Sequence, residues 1–122
     1  MADTNNQYNE VVEKCKDIFI KKTKDYGTAW RVLRPISVVD QIFIKAQRIR
    51  TIQDKKQQLV EDNIADEFKG ILNYAVIGMI QLTLGDAKVE DVEVEKVNEW
   101  YSKNVQFAKD TMLNKNHDYG EA

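Results

Sequence analysis

A chain of 122 residues, 43% hydrophobic and 31% charged, has the balance of one ordinary globular domain with a modest core. Its net charge of −2 supplies no general basic field for nucleic acid, and a single cysteine excludes both an internal disulfide and a cysteine metal cluster. No apolar run is long enough to span a bilayer and no signal-like segment opens the sequence, so the expected setting is cytoplasmic, without a membrane partner.

Residues 1–6 are polar, and a first helix follows. Tyr8, Val11, Val12, Cys15, Ile18 and Phe19 recur at three- and four-residue steps and form its apolar stripe, with Lys14, Lys21 and Lys24 off it. Cys15 sits among apolar neighbours, which suits a small core residue. The helix is expected to stop at Asp25-Tyr26-Gly27, where Gly27 can take a positive φ. Residues 25–36 then read as a loop carrying Tyr26, Trp30 and Pro35, with Ile36 extended. Ser37 is a good N-cap, and Asp40 can answer the free amides of the second helix. Its expected stripe is Val39, Ile42, Phe43, Ala46 and Ile49, with Lys45, Arg48 and Arg50 at the edges.

The polar segment Asp54 to Gln58 reads as a loop or frayed turn. A third helix is predicted from Glu61 to Leu84, through Ile64, Phe68, Ile71, Leu72, Ala75, Val76 and Met79. From Ile71 onward it is apolar on nearly all sides, as a central element would be, and Gly85-Asp86 ends it. Val89 to Val94 alternates like a short strand, yet its flanking acids favour a helix start. A fourth helix is predicted from Val92 to Asn114, through Val94, Val97, Trp100, Tyr101, Val105, Ala108 and Met112. The fold class is therefore an all-α bundle of about four helices.

Several residues could carry chemistry. Asp62 and Asp66 lie one helical turn apart, where two carboxylates can share a magnesium ion; the plainer role is to favour the helix dipole. Lys45 and Arg48 share one side of the second helix and would suit phosphate oxygens, or else ion pairs with Asp62 or Asp66. Tyr26 and Trp30 could stack on a base while Asp25 binds a polar edge or metal; structurally the tripeptide is a helix stop. Asn73, an amide in an apolar stretch, either ties two helices together or faces a pocket. His117 reads as a surface residue. No glycine-rich phosphate loop, nucleophile elbow or HExxH pair is present.

The tripeptide recurs as Asp118-Tyr119-Gly120, a shift of 93 from Asp25. At that shift Val12 matches Val105, Lys16 matches Lys109, Asp17 matches Asp110, Lys22 matches Lys115 and Ala29 matches Ala122. The expected organisation is one helical domain, with a first unit at 7–84 and the start of a second at 92–122. The second copy stops at Ala122, as in a piece of a longer tandem protein.

Lys24-Asp25-Tyr26-Gly27 with Ala29-Trp30, then Lys45-x-x-Arg48-Ile49, then Asp66 followed by Asn73-Tyr74-Ala75, resembles the nucleotide modification associated domain 1 family of bacteria and phages. The resemblance covers residues 10 to 82. That family in turn looks related to the MazG-type all-α NTP pyrophosphatases. The resemblance implies a helical domain handling a nucleotide, with magnesium as the tentative cofactor. Asp66 fits an acidic position of the MazG-type pattern, but Gly70 stands where a further Asp is usual. The second helix offers Asp40 and Lys45 in place of paired glutamates. These departures bear on hydrolysis more than on binding.

The reading is thus a helical domain binding a nucleotide or nucleotide derivative through Asp25, Tyr26, Trp30, Lys45, Arg48 and Asn73, with Asp62 and Asp66 on a metal. If active, it would be a metal-dependent pyrophosphohydrolase, and a homo-oligomer is expected. The alternative is a helical scaffold or dimerisation module without catalysis.

Overall fold

The structure is a computed structural model, and it describes residues 3–55, 61–85 and 92–119. Four helices follow one another: α1 (Thr4–Tyr26), α2 (Pro35–Lys55), α3 (Glu61–Leu84) and α4 (Val94–Tyr119). A 3₁₀ turn, Ala29–Val32, stands between α1 and α2. No strand occurs among the described residues, so the all-α class holds. The chain divides into two compact units, one made of residues 1–27 and 92–122, the other of residues 28–91.

The first unit pairs α1 with α4. Asp3 caps α1, its carboxylate accepting from the Asn6 amide at 3.1 Å. Cys15, Val97 and Tyr101 are fully buried, and the rings of Phe19 and Tyr101 lie 5.0 Å apart at 36°. That tilted arrangement suits two ring quadrupoles. Burial, helped by Cys15 and Tyr8 nearby, pushes the Tyr101 phenol well above its ordinary pKa. The Tyr8 hydroxyl donates to the Val105 carbonyl at 2.6 Å, a second tie between the helices. Cys15 is the core residue expected, whereas Val11 faces solvent. The stripe is narrower than its hydropathy suggests, because Cys15, Phe19 and Thr23 at four-residue steps suffice to meet one partner helix.

Both helices of this unit end on the tyrosine of the repeated tripeptide, α1 at Tyr26 and α4 at Tyr119. After Tyr26, Gly27 adopts φ 70°, and its N–H donates to the Thr23 carbonyl at 2.8 Å. α4 runs five residues past its expected end at Asn114. No glycine or proline interrupts 115–119, so nothing local stops it sooner. Gly120 and the segment 86–91, which holds the first half of the alternating Val89–Val94 stretch, lie outside the described residues.

In the second unit α2 and α3 pack extensively on each other. α2 starts at Pro35, two residues before the expected Ser37 cap, so Ser37 and Ile36 are helical. Proline is well suited to a first helical position: its fixed φ fits the helix and its missing N–H costs nothing there. The packed face also differs. Val38 and Ile49 are buried and Ile42, Lys45 and Ile52 half-buried, a four-three-four-three spacing. Of the expected stripe, Ile42 and Ile49 do face the seam, whereas Val39, Phe43 and Ala46 are exposed, Phe43 at 61%. The face turned because Lys45 occupies the seam with its hydrocarbon stem, where hydropathy alone puts an isoleucine or phenylalanine. α3 has the predicted bounds and is followed by Gly85 at φ 56°. It is not buried all round: Phe68, Met79 and Leu82 are exposed.

Gln81 fixes the entry to α2. Its buried amide nitrogen donates to the carbonyls of Arg31, at 2.9 Å, and of Trp30 and Leu33, while its oxygen accepts from the buried Arg31 guanidinium. One side chain thereby satisfies the backbone of the 3₁₀ turn and docks it on the far end of α3. Replacing it by an apolar isostere strands those groups. Gln81→Leu is expected to lower unfolding free energy by about 3 kcal/mol, read as a fall in urea midpoint. The exposed Thr83→Ala, which takes no part in that knot, should move it by under about 0.5 kcal/mol.

Candidate functional site

The candidate site grows from the α2–α3 seam. Lys45 and Arg48 are three residues apart on α2 and so project from one side of it. On α3, Glu67, Gly70 and Tyr74 fall at three- and four-residue steps and form one strip. The two strips meet. Lys45 Nζ donates to Glu67 Oε2 at 3.2 Å, and Arg48 Nη1 donates to Glu67 Oε1 at 2.9 Å. One carboxylate therefore bridges two cations from the neighbouring helix.

Gly70 makes the arrangement possible. A Cβ placed there would stand 2.8 Å from Lys45 Cε and 3.0 Å from its Cδ, inside van der Waals contact. The lysine stem occupies the space that any other residue would fill. Its ammonium lies 6.0 Å from the centre of the Tyr74 ring, at the outer range of a cation–π contact. Because the obstacle is a flexible side chain, an alanine at Gly70 would displace the lysine and leave the fold standing.

The Glu67 side chain is 12% exposed. Burial alone would push its carboxyl up, but the hydrogen bonds from Arg48 and Lys45, with their charges, outweigh this and hold its pKa below the ordinary glutamate value. Arg48 remains 56% exposed, so its remaining donors face water. The cluster carries two positive charges and one negative, and its open side is cationic.

The other sequence-predicted residues are placed as follows. Asn73 is buried on α3, directly before Tyr74. Asp66 is exposed and points towards Lys69, 3.9 Å away, rather than towards Lys45 or Arg48. Asp62 is helical, and its side chain lies outside the described ones. Among the described residues no three histidine, cysteine or acidic side chains gather as a metal would require. Trp30 is half-buried in the 3₁₀ turn of the same unit. Asp25 and Tyr26 fall in the other unit, both exposed, Tyr26 at 76%. His117 is exposed in the last turn of α4.

Glu67 is the residue that sequence reasoning passed over, since it merely stood beside Asp66. The signal was available. Glu67 is four residues before Ile71 and seven before Tyr74, which puts it on the strip that continues to Gln81, while Asp66 lies a hundred degrees round the helix.

The model of a family described as nucleotide modification associated domain 1 matches residues 22–82, half of the chain. The match contains Lys45, Arg48, Glu67, Gly70, Tyr74 and Gln81. No curated protein and no solved structure matches the chain.

Glu67 has a depressed pKa in the folded state, so its ion pairs stabilise fully above the ordinary glutamate pKa of about 4.3 and fade as pH falls through the lower, folded value. Glu67→Gln should cost about 1 kcal/mol at pH 7 after allowing for solvent screening. The deficit relative to the parent chain should shrink steadily below about pH 4.3. Urea melts of both proteins at stepped pH values measure it, and a deficit that stays constant into strong acid contradicts the ion-pair assignment.

Proposed function

The chain belongs to the nucleotide modification associated domain 1 family, and we propose that its second unit binds the phosphate groups of a nucleotide or nucleotide derivative. One observation carries this reading: Lys45 and Arg48 converge from a single face of α2 on one point, with Gly70 opened to admit the lysine. Arginine grips phosphate oxygens with a planar fork and lysine adds a compact charge, and together they make a small anion site with an exposed edge. In this proposal Lys45 and Arg48 hold phosphates and Asn73 supports the α3 side. Trp30, in the 3₁₀ turn of the same unit, offers an aromatic face to the base.

Asp66 is an exposed carboxylate and Asp62 stands one turn before it, which suits a magnesium ion arriving already bound to the ligand's phosphates. Such an ion would neutralise phosphate charge. A relationship to the MazG-type pyrophosphatases would make the activity release of pyrophosphate from a nucleoside triphosphate. α2 carries Asp40 and Lys45 in place of the paired glutamates of that pattern, a departure that bears on hydrolysis and not on phosphate binding.

Self-association belongs to the same proposal, supported by the exposed Ile36, Val39 and Phe43 on α2 and Met79 and Leu82 on α3. Those residues are also what favours the alternative of a helical scaffold. The two readings part in one experiment. Nucleoside triphosphates, canonical and base-modified, with magnesium, are expected to raise the melting temperature of the parent chain. The charge-free pair Lys45→Met with Arg48→Gln should lose triphosphate affinity by about 100-fold while staying folded, as expected for two charge-assisted phosphate contacts. A melting temperature unmoved by every triphosphate selects the scaffold.

A further inference from the structure

The manner in which Glu67 engages the two cations is the manner in which a phosphoryl group would. Each carboxylate oxygen serves one cation, Oε2 with Lys45 and Oε1 with Arg48. A terminal phosphate likewise presents two oxygens from one central atom to a lysine–arginine pair. The cations are not equally held. Lys45 is laid along Gly70 with its ammonium 6.0 Å from the Tyr74 ring centre, and its side chain is 22% exposed. Arg48 is largely exposed, and an incoming anion reaches it first. What can exchange is therefore the anion.

We infer that Glu67 is an internal competitor for the anion site, occupying the position of a phosphoryl group and restricting the site to polyphosphates. The inference rests on the phosphate-binding reading above. A carboxylate tethered to the same fold competes at an effective concentration in the millimolar range or higher. A ligand with one phosphate meets this competitor with little charge to spare. A triphosphate brings several negative charges against two cations, and the Coulomb gain favours displacement. The carboxylate also keeps Lys45 and Arg48 facing each other when no ligand is bound, so the cations need little reorganisation on exchange. Nucleoside di- and triphosphates are thereby the ligand class, and nucleosides and monophosphates are rejected.

The test is calorimetric titration of the full chain with inorganic triphosphate and with inorganic phosphate at one fixed ionic strength. Glu67→Gln is expected to bind triphosphate about fivefold more tightly than the parent chain, the worth of the ion pairs Glu67 makes with Lys45 and Arg48, and to acquire measurable phosphate binding. Triphosphate binding by Glu67→Gln that is no tighter than the parent's, with the parent's binding lost in the Lys45→Met/Arg48→Gln protein, overturns the competitor role and leaves the phosphate site intact. No triphosphate binding by either the parent or Glu67→Gln overturns both. A second measurement needs no variant: the carboxyl carbon resonance of Glu67 in the parent chain should shift on saturation with triphosphate. A resonance that stays put at saturation overturns displacement.

Discussion

The candidate site depends on a lysine lying where a side chain is missing. With any residue larger than glycine at position 70, the far end of the Lys45 side chain would have to shift, because a single added carbon already falls 2.8 Å from its Cε. Glycine in the middle of a helix costs roughly 1 kcal/mol relative to alanine. That cost is spread against the packing of a long aliphatic stem in the α2–α3 seam and the pairing of its charge. A charged residue thus serves as a core filler along its length and as an anion partner at its tip.

A second constraint acts at the other end of α3. Glu67 and Gln81 are fourteen positions apart on one helix, about 21 Å along its axis at 1.5 Å per residue. Gln81 collects the carbonyls of the 3₁₀ turn, and the turn delivers the chain to Pro35 at the start of α2. Where α2 starts sets which of its residues meet α3. A shift by one position would rotate Lys45 by a hundred degrees and take Arg48 with it. The turn–Gln81 knot and the lysine–glycine notch are therefore coupled through the rigid length of α2. One fixes the register and the other uses it.

Much of this was legible in the sequence, and what was not fails for specific reasons. The bounds of α3 follow from its long apolar period and from Gly85, and the end of α1 follows from Gly27, because both glycines adopt a positive φ that other residues resist. The start of α2 was placed at Ser37, since a serine cap is a stronger sequence signal than a proline that can equally close a loop. On α2 hydropathy finds Ile42 and Ile49 but also selects the exposed Val39, Phe43 and Ala46, and it misses Lys45 because it counts lysine as polar along its whole length. Gln81 and Arg31 carry no periodic signal at all: a polar residue in an apolar stretch declares that it needs partners, not which backbone supplies them. Among the acids of α3, the paired spacing of Asp62 and Asp66 drew the eye, while Glu67 took the position that faces α2.

The division of the molecule carries the last step. The family match spans the end of α1, the 3₁₀ turn, α2 and most of α3, so it lies largely on the unit that holds Lys45, Arg48 and Glu67. The other unit is built from the two helices that share the Asp-Tyr-Gly ending, and it is held by aromatic packing and a phenol-to-carbonyl hydrogen bond. Tyr8 and Tyr101 stand at the same 93-residue shift as the two tripeptides, yet Tyr101 is fully enclosed while Tyr8 is half-buried. Helices that correspond in sequence are therefore used unequally. The unit of α1 and α4 is tied by the Asp3 cap on α1 and by the Tyr8–Val105 hydrogen bond between its helices. The unit of α2 and α3 keeps a partly exposed guanidinium beside a largely buried carboxylate.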